Sequence, residues 1–443
     1  MDRAQASEVF DGPAVPPGGP ASAAPPGRSE EAGWPTGTYA AFRAPDYRRF
    51  FLGQAVSLPG TWMQTIAQTW LIVELTDSGT YLGLLLAAQF LPVLLLAPYG
   101  GLLADRFPKR RLLMITQSTM GLAALALGLL CVTHLITVWT VLVAAVVLGL
   151  ATAVDNPTRQ SFVVEMVGPA LVRNAVSLNS VLVNAARAIG PAVAGVLIAV
   201  VGVSWCFLIN AASFAGVLVA LASVKAGKTA QRSAARAPGQ LREGFRYVAT
   251  QQDLLWPFLM IFLVGTLAWE FPITLPLLAR ETFLADSRVY GWLTSSMGVG
   301  AVLGGLVVAR RGAVGLVPIA ASAAVFGVSI AGLAVSPNVT TALVALLFVG
   351  VGSTAFMSIS NATMQLSSDA EHRGRVMSLW SISFAGSTPI GGPIVGAVAE
   401  HASPRWALGV GAVACGLAAA VPLVVARRRA DRRTGRDVGS AAA

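Results

Sequence analysis

Arg187 and Glu270 lie deep inside long apolar stretches of this 443-residue chain. A charge at the centre of a lipid-crossing helix costs about 2.5–3.5 kcal/mol even on a lenient insertion scale, so such residues face a cavity or a partner. One reading makes them functional groups, with Glu270 exchanging protons and Arg187 contacting a bound molecule. The other makes them a structural ion pair, joined to each other or to polar neighbours such as Asn184. Gln54, Gln64, Gln68, Asn179 and Asn210 also interrupt apolar stretches and are candidates for a cavity lining, whereas Glu74 falls at a stretch end and is expected in solvent. Other chemistry is sparse. Cys131, Cys206 and Cys415 stand in separate apolar stretches without metal or disulfide spacing and read as packing residues. His134, His372 and His401 are too far apart for a metal site. Gly298-Val-Gly300 has two glycines of a dinucleotide loop but no strand before it. No Walker-type phosphate loop occurs, so ATP is not the expected energy source, and no cofactor or metal is expected.

Composition says what must hold these residues. The chain is 55% hydrophobic and 12% charged, with mean hydropathy +0.68. A soluble domain carries about 25% charge, so this is a membrane chain. A spanning helix needs about 20 apolar residues. Twelve stretches qualify, near 50–75, 80–103, 112–131, 136–155, 175–200, 204–224, 254–279, 289–309, 314–335, 339–360, 376–399 and 405–426. Residues 1–40 are rich in Pro, Gly, Ala and Ser and lack a signal-peptide core, so they read as a disordered cytoplasmic tail. The organisation expected is a first bundle over 41–224, a linker loop over 225–253, a second bundle over 254–426 and a basic tail over 427–443.

Lys and Arg orient the chain. If twelve crossings are real, 27 of the 31 basic residues fall on one side, Arg187 lies within the bilayer, and only Arg280, Arg288 and Arg405 lie opposite. Both termini are then cytoplasmic, in a cell inner membrane. The net charge of +10 follows from this topology and needs no nucleic-acid partner.

The two halves repeat. Gly60-Thr61 matches Gly265-Thr266, and Asn156, Thr158 and Gln160 match Asn361, Thr363 and Gln365, all at an offset of 205. Gly100-Gly101-Leu102 matches Gly304-Gly305-Leu306 at 204, while Ser177-Leu178, Gly190 and Gly195 match Ser378-Leu379, Gly391 and Gly396 at 201. A parallel duplication of six helices places a central site between the halves.

Gly101-Leu-Leu-Ala-Asp105-Arg106-Phe-Pro-Lys109-Arg110-Arg111 closes the second stretch. It resembles the signature loop of the major facilitator superfamily, a Gly, three residues, an Asp and a basic cluster. The resemblance implies that Gly101, Asp105, Arg106 and Arg110 form a conformational latch, with Asp105 docking near the start of helix 11 in the outward-facing state. Without the family, the same residues read as a positive-inside loop with a helix-capping Asp. Pro108 departs from the pattern, and the second copy, ending Ala309-Arg310-Arg311, has lost the Asp. Gly190-Pro191 and Gly195 resemble the Gly-Pro motif of exporting members; physically they are a small-residue packing surface, with Gly300, Gly304 and Gly305 of helix 8 as the facing partner. Asp155-Asn-Pro-Thr-Arg159-Gln, Glu165-Met-Val, Asn174-Ala-Val-Ser-Leu-Asn179-Ser and Gly60-Thr-Trp62-Met-Gln64 extend the similarity over about 41–425. Together they resemble the drug and siderophore exporter branch, which includes enterobactin-type and macrolide exporters. Asp155 and Arg159 also read as an i,i+4 pair at a Pro-terminated helix end.

The expectation is an all-α membrane protein of twelve transmembrane helices in two pseudo-symmetric six-helix bundles, the major facilitator fold. It is expected to be a monomer that exports a small amphipathic drug, antibiotic or siderophore by proton-coupled alternating access. A proton-coupled uptake symporter is the alternative. A membrane-embedded enzyme or receptor is remote, because no intramembrane nucleophile–base pair, metal set or folded extramembrane domain is legible.

Overall fold

The computed structural model describes residues 39–224, 240–369 and 372–440, and these are almost entirely helical. The first six crossings are α1 (Pro45–Thr76), α2 (Gly79–Arg106), α3 (Lys109–Val132), α4 (Val138–Val167), α5 (Val172–Val201) and α6 (Val203–Ser223). Within the expected 225–253 linker, Gln240–Thr250 forms a helix, α7, and 225–239 lie outside the described residues. The second set is α8 (Gln252–Leu267) continued by α9 (Phe271–Leu277), α10 (Ser287–Arg311), α11 (Leu316–Ala334), α12 (Val339–Leu366), α13 (Arg373–Ala385) continued by α14 (Thr388–His401), and α15 (Pro404–Ser440). The expected tail at 1–40 falls almost wholly outside the described residues, and α15 runs on through most of the expected basic tail.

Ten of these helical stretches are long and apolar enough to cross a membrane by themselves. The other two crossings fall outside that measure for visible reasons. α1 has Asp46, Arg48 and Arg49 near its start and buries Gln54, Gln64 and Gln68 further along. α13 and α14 have only 13 and 14 residues, each too short alone.

The duplication read from the sequence is present in the packing. α2 lies on α4, α3 on α4 and α3 on α6; in the second half α10 lies on α12, α11 on α12 and α11 on α15. The halves differ where proline intervenes. Pro59 and Pro191 lie inside continuous helices, α1 and α5. In the second half the seventh crossing, expected as one helix over 254–279, breaks between Leu267 and Phe271, and the eleventh breaks at Gly386-Ser387. Pro272 and Pro389 stand at the second position of the helices that resume. A proline there cannot donate back to the preceding turn, so the earlier helix ends and a new one starts. The fourth crossing was expected to end near the Asp155-Asn-Pro turn; instead α4 carries Pro157 inside it and continues to Val167. The carbonyl four residues before Pro157, that of Ala153, faces Gly100 of α2, where a β-carbon would collide with it. Bilayer helices tolerate internal proline when neighbours cover the freed carbonyl.

Candidate functional site between the two halves

The halves meet along α2–α14 and α5–α10, with α1 touching α9. Among the described residues, every hydrogen bond and ion pair that joins them lies toward the face opposite the start of α1. Gly79 and Gly83 of α2 face Gly396 and Gly392 of α14, and a β-carbon on either α2 glycine would sit 2.5 Å from the opposing carbonyl oxygen. Beside them Ser78 Oγ donates to Glu400 at 2.6 Å and the Thr80 N–H donates to the same carboxylate at 2.8 Å. Ser78 is the N-cap of α2, so Glu400 places a negative charge from the other half at the start of that helix. The Ser78 and Thr80 hydrogen bonds hold the Glu400 carboxyl below its ordinary range. Its contribution is therefore complete above the ordinary carboxylate value and is lost only as pH falls through the lowered one. Arg280 pairs with Asp77 at 3.1 Å, Ser287 Oγ donates to the Gly195 carbonyl at 3.2 Å, and Thr69 and Tyr290 share a buried hydrogen bond of 2.8 Å with Trp70 stacked on the Tyr290 ring. This face is closed, and the ties between the halves among the described residues lie at this end.

The other end leaves a polar stripe open on α5. At 3.6 residues per turn, Arg173, Ser177, Ser180, Asn184 and Arg187 share one face. The first three are exposed, and Asn184 and Arg187 are half-exposed. Ile189, Val193, Val196 and Val200 are exposed on the opposite, apolar side, which suits lipid. The stripe ends at Arg187. Its guanidinium sits 4.9 Å over the ring of Trp62 on α1. Gly190 makes room: a β-carbon there would lie 2.7 Å from Trp62 Cβ and 2.8 Å from the Pro59 carbonyl. No carboxylate or hydrogen-bond acceptor meets the Arg187 side chain among the described residues.

Glu270 occupies the break between α8 and α9 and is 3% exposed. Its backbone carbonyl accepts from the Ile273 and Thr274 N–H groups at 3.1 Å, restarting the helix. One carboxyl oxygen has no partner, Gly391 of α14 packs against it, and the Thr388 side chain stands at the carboxyl. Leu267, Phe271, Thr274 and Val395 help line a small cavity at the group. Of the two readings held open for these charges, the ion pair between Glu270 and Arg187 is not present, because each sits in a niche of its own half: Arg187 against α1, Glu270 against α14. Asn184 does not bond Arg187 among the described residues either; its amide donates to the Ser180 carbonyl at 2.8 Å.

The remaining sequence candidates sort as follows. Gly101 is half-buried in the last turns of α2, and Asp105 and Arg106 are exposed, with Asp105 unpaired among the described residues. Arg110 donates to the Leu221 and Ala222 carbonyls at 2.7 and 2.6 Å, closing the end of α6, and Lys109 pairs with Glu165 of α4. Gly195 packs on Ser287 and Gly291 of α10, the Pro191 carbonyl also faces Gly291, and Gly298 meets Ala188. The expected partner helix is right and its glycines are not: Gly300 and Gly304 face Leu347 and Val351 of α12 instead. Residues 298 and 300 differ by about 200° around a helix, so one set faces across the seam and the other faces home. Gln64 accepts from Asn210 at 2.5 Å inside the first half, which makes both structural, while Glu74 is exposed and accepts from Trp70 at 2.6 Å. The inter-half ties at Asp77, Ser78, Glu400 and Arg280 were not read from the sequence; Ser78 has a capping signature, but its partner is 322 positions away.

A family profile described as transmembrane secretion effector matches residues 36–437. The staphyloferrin A transporter of Staphylococcus aureus is 26% identical over 79% of this chain and 89% of its own length. Macrolide efflux protein A of Streptococcus pyogenes is 23% identical over 86% and 96%. The multidrug efflux pump Tap of Mycobacterium tuberculosis is 25% identical over 78% and 85%. Among solved structures, the nucleoside transporter NupG superposes with TM-score 0.70 at 12% identity, covering 86% of this chain and 98% of that one. An inward-facing, unoccupied bacterial homologue of the lysosomal transporter Spinster superposes with TM-score 0.69 at 14% identity, covering 87% and 97%. The chain belongs to the transmembrane secretion effector family, in the drug and siderophore exporter branch of the major facilitator superfamily, and is a multi-pass membrane transporter.

Proposed function

We propose that this protein exports a small amphipathic molecule across the cell inner membrane by proton-coupled alternating access, as a monomer with both termini cytoplasmic. The observation that carries the reading is Glu270, a carboxylate 3% exposed with an oxygen left unpaired at a helix break beside the seam-forming α14. A buried carboxylate without a fixed counter-charge binds or releases a proton as its surroundings change, and a break at the seam is where they change when one half rocks on the other. The closed distal face and the open stripe on α5 correspond to the inward-facing half of such a cycle. The efflux-pump relatives support the direction of transport.

Matched xanthene dyes provide the assay: anionic fluorescein and cationic rhodamine 123, loaded into proteoliposomes with and without a proton gradient. Glu270→Gln should abolish gradient-driven movement of whichever dye the wild type transports while sparing gradient-free exchange. Full gradient-driven movement in this variant would sink the coupling role, and gradient-driven entry in place of exit would replace export with symport.

The motif loop gives a second expected result. Asp105 has no partner among the described residues in this conformation, so Asp105→Asn should leave the thermal midpoint of the purified protein unchanged. A carboxylate docked at a helix end contributes about 0.3–2 kcal/mol, so losing it from the opposite conformation should cut transport by about two- to thirtyfold. Wild-type dye efflux with normal expression would remove Asp105 from the mechanism.

A further inference from the structure

The buried charges of the two halves have a polarity that the composition does not suggest. At the 201-residue offset of the repeat, the counterpart of Arg187 is Thr388; at the 205-residue offset, the counterpart of Glu270 is Thr65. Thr388 stands at the Glu270 carboxyl. Arg187 lies over Trp62, one turn from Thr65 on the same helix. The same helix-pair niche is therefore occupied in both halves, with opposite charge and with the charge on the opposite member of the pair. Duplication made two niches alike, and divergence left one basic and one acidic.

We propose that Arg187 is the cargo anchor and that the cargo carries an oxyanion, a carboxylate or an equivalent group, on an aromatic or otherwise apolar body. The proposal rests on the transport reading above and names its substrate class. Arg187 stays charged under all physiological conditions. The face of Trp62 covers one side of the guanidinium and accepts no hydrogen bond through its ring plane, so the donor edges remain available. Planar guanidinium donors match carboxylate and phosphate geometry in a two-point contact that a cation or a neutral molecule does not satisfy. The polar stripe Arg173, Ser177, Ser180 and Asn184 leads from the open face to this group, with a second positive charge at its entrance. Glu270, the only deeply buried acidic group of the second half among the described residues, is turned toward α14 and does not neutralise Arg187. An anion entering from the open face thus meets one cation at the mouth and another at the end, while a cationic amphiphile meets repulsion at both. Trp62 serves as the apolar platform beside the anchor, fixed there by the absence of a side chain at Gly190.

The test uses the full-length protein in detergent, without a gradient, so its outcome is independent of proton coupling and of direction. Binding of fluorescein and rhodamine 123 is measured by fluorescence anisotropy at low salt. The wild type should bind fluorescein at least tenfold more tightly than rhodamine 123. Arg187→Gln should weaken fluorescein at least tenfold and bring the two dyes within about threefold of each other; Arg187→Lys should keep the preference for the anion. Equal or tighter binding of rhodamine 123 by the wild type overturns the proposal, as does fluorescein binding by folded Arg187→Gln within twofold of wild type, or no fluorescein binding by the wild type at all. Should Arg187→Gln fail to fold, the wild-type preference and its retention in Arg187→Lys decide. Gradient-driven transport lost or kept in Glu270→Gln bears on the coupling reading alone.

Discussion

Gly396→Leu is expected to abolish dye transport in a protein that still reaches the membrane. The closed face depends on backbone contact between α2 and α14. A β-carbon on Gly79 would sit 2.5 Å from the Gly396 carbonyl oxygen, one on Gly83 2.5 Å from that of Gly392, and one on Gly396 3.0 Å from the carbonyl carbon of Gly79. These obstacles are backbone, which cannot swing aside as a long side chain does. Overpacking an ordinary core costs about 1–3 kcal/mol; a leucine between two helix backbones stands at or above the upper end. A penalty of about 3 kcal/mol on the distally closed state lowers its population roughly a hundredfold relative to its alternative. The clasp formed by Ser78 and Thr80 on Glu400 and by Arg280 on Asp77 would be pulled apart with it, since all lie within a turn or two of these glycines. Helices within each half should be undisturbed, so expression and thermal midpoint stay near wild type. Gly416→Leu is the control: nothing lies within 4 Å of a β-carbon there, and transport should persist. Cysteines placed at 79 and 396 should crosslink readily in the wild type. Near-normal transport by Gly396→Leu would mean that the cycle does not pass through this closed face.

How much of this was legible follows from which forces act locally. The bilayer demands about 20 apolar residues per crossing, and that demand left twelve stretches and a basic asymmetry in plain sight, beside a repeat whose offset shifts only from 205 to 201. Helix phase is not in the composition, which is why Gly300 and Gly304 were matched to α5 when Gly291 and Gly298 face it. Pro157 and Pro272 show the limit of proline as punctuation: α4 absorbs the first because Gly100 of α2 covers the freed carbonyl, whereas the seventh crossing breaks just before the second. Arg187 and Glu270 stood out because charge in an apolar run is rare, but their separation into two niches depends on Trp62 and Gly391, neither adjacent in sequence to its partner. The clasp at Glu400 could not be read at all. A carboxylate at a helix end looks solvated until the fold brings the start of α2 to it.

The most destabilising single change expected within one half is Asp155→Ala. Asp155 was read as one end of an i,i+4 pair, and the pair with Arg159 exists, but the carboxylate is fully buried and has two further donors from another helix. Thr116 Oγ1 and Gln117 Nε2 of α3 donate to one oxygen at 2.8 Å each, and Arg159 Nε donates to the other at 3.0 Å, with a second guanidinium nitrogen beside it. Removing one partner of a buried pair typically costs about 3–5 kcal/mol, because the other charge is left without compensation. Arg159 is 24% exposed and has Gln54 as a weak second acceptor at 3.4 Å, so the lower end, about 3 kcal/mol, applies. The second half shows how the same place is filled without charge: at the 205-residue offset, Ser360 and Met364 stand for Asp155 and Arg159, and both are 0% exposed. Replacing a buried pair by well-packed hydrophobic residues of similar volume is often neutral, and the second half comes near that filling, with only the Ser360 hydroxyl left without a partner among the described residues. The double variant Asp155→Ser with Arg159→Met should therefore unfold at a temperature much nearer the wild type than Asp155→Ala does, when both are followed by thermal unfolding in detergent. Transport separates structure from function at this site. If the network only holds α3 to α4, the double variant recovers efflux along with stability. If it recovers stability and not efflux, the charges themselves enter the cycle. A double variant as unstable as Asp155→Ala would show that the loss arises elsewhere than in the orphaned arginine.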